Sequence, residues 1–356
     1  MKPVLILLLL ISIVSCQDSS YNQETADKIL EIFEQRNNVK ELFKVWHMIF
    51  KKEYDYNTQE GIQKYVTFKK NLKEIQEHNS KNGLYQKGLN SFSDMTYEEF
   101  EKYYNLKSMS PEEMRSVLKT FISLDDYTDE EDTIKTKNKA GDRKNIDLRK
   151  YMTPVRDQGH CGSCWAFAAM GSLEGVYNVY HRSNMLRDWL STQQLVDCDT
   201  NNNGCNGGKY TKAFDYLGTY FADFESQYKY EQKEGSCRYK SSGHSGIKTA
   251  GYNKATDSDS LYELLKRGPV AVSVNANSDF KHYKKGLFDG ECSDDVNHGV
   301  TLVGWSNIKN NPNSCWIVKN SWGKSWGEDG YIYVLDNTAN NHSCNIELYG
   351  RQPNLA

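Results

Sequence analysis

The sequence predicts an α+β protein built from two unlike segments. Apolar residues recur at three-to-four spacing early in the chain, as in Leu42, Phe43, Trp46, Ile49 and Phe50. After Val270 they fall instead into short strand-like runs: Val270–Val274, Gly299–Trp305, Cys315–Lys319 and Tyr331–Leu335. The composition also changes near residue 141. Residues 17–141 contain one Pro and no Cys, whereas 142–356 hold eight of the nine Cys and six of the seven Trp. Helices that precede strands in this way favour segregated α+β layers over alternating βαβ units.

In chain order, Val4–Val14 behind Lys2 is an apolar stretch followed by Ser15 and Cys16. It is too short to span a bilayer, which takes about 20 apolar residues, and it reads as a secretory signal peptide over 1–16. An uncleaved anchor and a bacterial lipoprotein box are the alternative readings. A secretory route makes the cysteines legible as disulfides. The 356-residue chain has net charge −3, which argues against a nucleic-acid partner, and its mean hydropathy of −0.75 leaves no expectation of stable membrane insertion.

The first segment, 17–141, carries 19 basic and 23 acidic residues and reads as mainly helical. Helices are expected over 39–52 and 59–79. In the second, Glu60, Lys64, Phe68, Asn71, Ile75 and Asn79 share one stripe. A solvated helix face with a few core residues would also explain it. The alternation in Gly88–Asp94 suggests a short strand, and Thr96 with Glu99 forms a capping box for a further helix. Leu124–Gly141 is polar, charged and aperiodic, as expected of an exposed, cleavable linker. In the second segment, 142–356, helices are expected from Ser163-Cys164, from Ser191 to Val196, and from Leu261 to Arg267 before Gly268-Pro269.

Cys161-Gly-Ser-Cys164 has C-x-x-C spacing. A zinc ribbon would need a second such pair, and a thioredoxin-like motif a preceding strand, so neither reading fits. One structural and one nucleophilic cysteine fits better. Eight cysteines follow the signal; six could form three disulfides in fifteen ways, leaving two thiols. Cys164 would open a helix, where unpaired N–H groups favour the thiolate. Such a nucleophile needs a proton partner and a group to orient it. His298 opens an apolar strand, Asn320 ends another, and Trp322 could shield the bond between them. Core turns would equally explain the Trp- and Gly-rich stretch that follows Asn320.

Gln158-Gly-His-Cys-Gly-Ser-Cys164-Trp165-Ala-Phe resembles the nucleophile region of papain-like cysteine proteases. Asn297-His298-Gly299 resembles their histidine motif, and Trp316-Ile-Val-Lys-Asn320-Ser-Trp322-Gly323 their asparagine motif. The Glu60–Asn79 stripe is similar to the helical signature of cathepsin L-type propeptides, with Lys64 in an Arg position. Gly88-x-Asn90-x-Phe92-x-Asp94 matches the companion propeptide motif. The chain departs from the family pattern at Leu148 and at Asn345, where Gly is usual.

The resemblance implies a papain-like two-lobed fold, with a helical left lobe and a β-barrel-like right lobe, behind a mainly helical inhibitory prodomain. The implied activity is that of a cysteine endopeptidase made as a zymogen. Cys164 would be the nucleophile in an ion pair with His298, Asn320 the orienting residue, and Gln158 an oxyanion donor. The implied disulfides join Cys161 to Cys205, Cys198 to Cys237, and Cys292 to Cys344, leaving Cys315 as an inert buried thiol. Substrate contacts would come from Gly207, Gly208, Asn297 and Trp322, with Tyr210, Ser273, Val296 and Tyr349 around the main specificity pocket. No metal or cofactor is implied. The implied partners are protein or peptide substrates, the chain's own propeptide and cystatin-type inhibitors, with the enzyme a monomer in a lysosome, a digestive vacuole or the extracellular space. A dead homologue used for binding or storage, and a prodomain acting in trans, are the competing readings.

Overall fold

The computed structural model describes residues 23–106, 143–308, 313–336 and 344–356. The signal segment, the linker over 124–141 and the Asn341-His342-Ser343 glycosylation sequon lie outside them. The described residues form two compact units: 23–74 with 89–94, and 75–88 with 95–106 and the remainder of the chain.

The first unit contains α1 (Gln23–Glu34), α2 (Val39–Ile49) and most of α3 (Gln59–Asn79). Asn38 caps α2 by accepting the Glu41 N–H at 3.2 Å. The apolar stripe of α2 does what its spacing requires: Leu42, Phe43, Val45 and Trp46 are buried. Phe43 and Trp46 each lie 5.1 Å from the Phe68 ring of α3. The Trp46 indole donates to Asn90 O at 2.9 Å, and Asn71 donates to Ser93 O at 2.9 Å. Asp94 takes both Lys52 at 3.0 Å and the Tyr54 hydroxyl at 2.8 Å. The α3 stripe is therefore a mixed face: Phe68 and Asn71 are buried while Glu60 is exposed.

The expected strand over Gly88–Asp94 is not formed. The strand, β1, is Tyr85–Lys87, and the residues after it turn. Side chains cause the turn. Ser93 Oγ accepts the Asn90 N–H, Asn90 Oδ1 accepts the Phe92 N–H, both at 2.9 Å, and Ser93 N–H reaches Asn90 O. Asn and Ser compete with the sheet ladder for backbone groups in this way.

In the second unit, the end of α3 holds β1 through a reciprocal pair. Asn79 donates to Lys87 O and accepts the Lys87 N–H, both at 2.9 Å. Helix α4 (Tyr97–Tyr104) starts in the expected capping box between Thr96 and Glu99. The region after residue 143 begins with β2 (Ile146–Asp147) and continues through α5 (Cys164–Tyr180), α6 (Thr192–Cys198) and α7 (Tyr210–Thr219). Then follow β3 (Thr249–Ala255), α8 (Ser258–Leu265), β4 (Val270–Val274) and α9 (Ser278–Lys281). The last elements are β5 (Tyr283–Phe288), β6 (His298–Asn307), β7 (Ser314–Lys319), β8 (Tyr331–Asp336) and β9 (Gly350–Leu355).

Helices α5, α6 and α7 enclose one core, which includes Trp165, Ala169, Leu173, Leu195, Phe214 and Leu217. The strands run in the order β1-β5-β8-β7-β6-β4-β9-β3, with β2 on β6. This is the expected separation of a helical lobe from a sheet lobe. Disulfides join Cys161 to Cys205, Cys198 to Cys237, and Cys292 to Cys344. Cys315 is a buried free thiol, pushed up to about 11 by burial. Asn345 has φ 66°, a left-handed conformation that Asn tolerates where Gly is usual, and its amide donates to Ser293 O at 2.8 Å. Leu148 sits at the start of a short 3₁₀ turn, its N–H bonded to Val303 O at 2.8 Å.

Candidate active site

Cys164 is the first residue of α5, half-buried and outside every disulfide. Backbone N–H groups of Gly299, Trp165 and Cys164 itself favour its thiolate, and Cys164 packs against the start of β6. That approach needs Gly299: a Cβ there would lie 3.3 Å from Cys164 O. His298, the residue before it, pairs across the sheet with Val274.

Strand β7 ends at Lys319, and Asn320 follows with its N–H bonded to Gly330 O at 3.0 Å. The Asn320 Oδ1 accepts from His298 Nε2 at 2.8 Å and from the Ser321 N–H at 2.8 Å. The second bond fixes which end of the amide faces the ring. Trp322 is fully buried and stacks on the imidazole, 4.5 Å between centroids at 21°. His298 is thus gripped through Nε2 and one face, and among the described residues its buried Nδ1 has no hydrogen-bond partner.

Gln158 is also fully buried. Its Oε1 accepts the Ser321 hydroxyl at 2.7 Å and its Nε2 donates to Cys161 O at 3.0 Å. Ser321 is a positioning residue that the sequence reading did not single out, and its place between Asn320 and Trp322 was the available signal. Glu174, Thr153 and Lys319 were not singled out either, and each is a polar residue buried beside the site. Lys319 Nζ donates to Thr153 O at 2.7 Å, Thr153 Oγ1 donates to Glu174 Oε2 at 2.5 Å, and Glu174 Oε1 accepts the Leu190 N–H at 2.7 Å. Thr153, Glu174 and Lys319 line a partly open cavity together with Gly299 and Asn320.

Three of the residues expected around the pocket, Tyr210, Ser273 and Tyr349, are brought together. The Tyr210 hydroxyl crosses to Ser273 Oγ at 3.1 Å and donates to Tyr349 O at 2.5 Å. Val296 and Tyr349 are buried, and Asn297 Oδ1 accepts the Ala276 N–H at 2.8 Å. Gly207 has φ 102°, and a Cβ on Gly208 would strike the Trp165 ring at 2.7 Å. The Cys161–Cys205 bridge ties this glycine loop to the start of α5.

Helix α4 covers the histidine side. Phe100 meets Trp322 edge-on at 5.0 Å and Tyr104 stacks on it at 5.1 Å. The Tyr97 hydroxyl donates to Ala276 O at 2.8 Å, and Asn105 donates to Cys205 O at 2.8 Å. The i,i+4 pair Phe100 and Tyr104, directly after the capping box, was the sequence signal for this contact. Burial has an electrostatic consequence: it pushes His298 down to about 4, against the raising effect of the Asn320 bond. It pushes the Cys164 thiol up, against the three backbone N–H groups. In this covered form both groups are driven toward neutrality, away from the ion pair expected for the working enzyme.

Residues 143–352 match the papain family cysteine protease, and residues 43–100 match the cathepsin propeptide inhibitor domain. The chain is 38% identical over 331 residues to a cathepsin L-like proteinase of Fasciola hepatica, covering 89% of this chain and 94% of that one. It is 35% identical over 327 residues to the cysteine protease XCP2 of Arabidopsis thaliana, covering 90% and 87%. The structure of digestive procathepsin L 3 from the Tenebrio molitor larval midgut superimposes with TM-score 0.73 at 32% identity, covering 89% of this chain and 99% of that one. The chain belongs to the papain family of cysteine proteases and carries a cathepsin-type propeptide inhibitor domain ahead of its peptidase domain.

Proposed function

We propose that the protein is a cysteine endopeptidase made as a zymogen, with a signal over 1–16, an inhibitory propeptide over 17–141 and the peptidase over 142–356. The observation that carries the reading is the grip on His298. Its Nε2 is occupied by Asn320, so Nδ1 is left to exchange protons with the Cys164 thiol. In the uncovered enzyme the Cys164 thiolate attacks a peptide carbonyl carbon, and the carbonyl electrons move to oxygen. That oxyanion is stabilised by the Gln158 amide, held by Ser321, and by the Cys164 N–H. His298 delivers its proton to the departing amine as the C–N bond breaks. Water, deprotonated by the same nitrogen, then cleaves the thioester and releases the acid.

The propeptide inhibits by keeping Trp322 covered with Phe100 and Tyr104 and by anchoring Asn105 beside the glycine loop. Protein or peptide chains are the substrates, and cystatin-type inhibitors would compete for the uncovered cleft. Three disulfides suggest the secretory pathway, with a lysosome, a digestive vacuole or the extracellular space as destination. The test is peptide hydrolysis by the processed chain beside a Cys164→Ala variant. Activity in the first and its loss in the second is expected, and equal activity in both would refute the assignment.

A further inference from the structure

His282 lies between α9 and β5 and is only 3% exposed, and among the described residues neither ring nitrogen makes a full hydrogen bond, with only the Gly88 backbone near enough to favour the charged ring. A neutral imidazole carries one donor and one acceptor, so an apolar side chain would suit this position better. The surroundings explain what titration there would do. The inhibitor domain binds the chain on both sides of the ring. Gly88 donates its N–H to His282 O at 3.0 Å, and Met95 O accepts Lys281 Nζ at 2.5 Å. Immediately C-terminal, β1 pairs with β5, placing Lys87 opposite Tyr283.

Two cations face the imidazole, Lys281 from α9 and Lys87 from β1. Lys87 is bound to Asp279 at 2.5 Å, which also accepts the Tyr85 hydroxyl at 2.7 Å. Despite burial, the bonds from Lys87 and Tyr85 hold Asp279 below its ordinary value, so it stays ionised while a histidine titrates. On the neighbouring helix α3, half-buried His78 contacts Tyr85 O at 3.2 Å.

We propose that His282 is an acid-operated release for the propeptide strand. Protonation puts a third positive charge beside Lys87 and Lys281 in a dry site, and the charge is relieved when β1 peels from β5 and water enters. The inference rests on the reading of 17–141 as an inhibitory propeptide. Burial, followed by the two lysines, holds the closed-state ring well below its ordinary 6.5, against the smaller raising effect of the Gly88 backbone. The closed form binds fewer protons than the open form, so closure is fully favoured above pH 6.5 and is lost as pH falls below it. The loss grows by about tenfold per pH unit until the closed-state ring itself titrates.

The test is amide hydrogen exchange at Gly88 in full-length Cys164→Ala protein, corrected for intrinsic exchange, from pH 7 to 4.5. Opening should rise by up to about 100-fold below pH 6.5. It should rise far less in chains that also carry His282→Phe or His282→Gln, and by the full amount with His78→Phe. The same acid dependence in the His282 variants, or its loss only with His78→Phe, would overturn the proposal. If neither variant folds, the His282 ring can be titrated in the parent chain, where protonation near pH 6.5 with Gly88 still protected would also overturn it. Failure of the peptidase reading would appear separately, as an inactive processed chain.

Discussion

Removing the propeptide should switch the protonation of the catalytic pair. With His298 held at about 4, the ring is about 1% protonated at pH 6. A thiol raised above its ordinary 9.0 is less than about 0.1% ionised at that pH. Once α4 leaves Trp322, water reaches the ring and the two neutral groups can exchange a proton to form the pair. A papain-like thiol with a pKa of about 3–4 is then almost wholly thiolate at pH 6, a rise of about 10³ in the ionised fraction. Alkylation rate is a poor gauge of this change. A thiolate whose pKa falls by about five units loses about 10² in nucleophilicity, which leaves a gain near tenfold. Ultraviolet thiolate absorbance reads the fraction directly. Cys164→Ala supplies the baseline, and Cys315, held up to about 11, is silent at pH 6. The full-length chain should lack the signal and the processed chain should show one thiolate per molecule. An equal signal in both would refute the argument that coverage neutralises the pair.

Three more outcomes follow from the same contacts. Gln158→Ala removes the buried amide proposed as an oxyanion donor and should lower kcat by about 10²–10³ with KM little changed, as steady-state kinetics on the processed enzyme would reveal. Phe100→Ala empties a fully buried site against Trp322. By analogy with Phe→Ala in cores it should weaken propeptide closure by about 3–5 kcal/mol, so that processing occurs at higher pH; unchanged processing would place the inhibitory contact elsewhere. Glu174→Ala leaves Lys319, already lowered to about 8 by burial, without its nearby carboxylate. Denaturant unfolding of the processed chain should show a loss of about 3–5 kcal/mol, and a loss below 1 kcal/mol would mean that the buried charges are not coupled.

Much of this fold was legible because local signals agreed with the tertiary structure. Leu42, Phe43 and Trp46 announce α2 by spacing alone, Thr96 and Glu99 announce the start of α4, and Ser191 caps α6 as expected. The Gly88–Asp94 turn was misread because strand-like alternation cannot reveal that Asn90 and Ser93 turn their side chains onto the backbone. In β9, Arg351 and Gln352 are buried yet polar, with Gln352 donating to the Leu264 and Gly268 carbonyls, so no apolar run marked the strand. At the site, Cys164, His298 and Asn320 stood out by chemistry and motif. Ser321 did not: its place between two conspicuous residues was the one signal, and a serine adds no hydropathy pattern to it. Nor could the sequence tell that burial drives the pair toward neutrality, since burial is set by tertiary packing around both groups.

The central claim is that Cys164, armed by His298, cleaves peptides once the propeptide leaves. The most direct measurement is peptide hydrolysis by the full-length protein during acidification in a mild thiol, with Cys164→Ala alongside. Cleavage should begin as the segment ahead of the peptidase domain is lost, and the variant should stay silent even after an added protease clips the linker and is removed. Hydrolysis by the clipped variant, or silence from the clipped native chain, would contradict the claim.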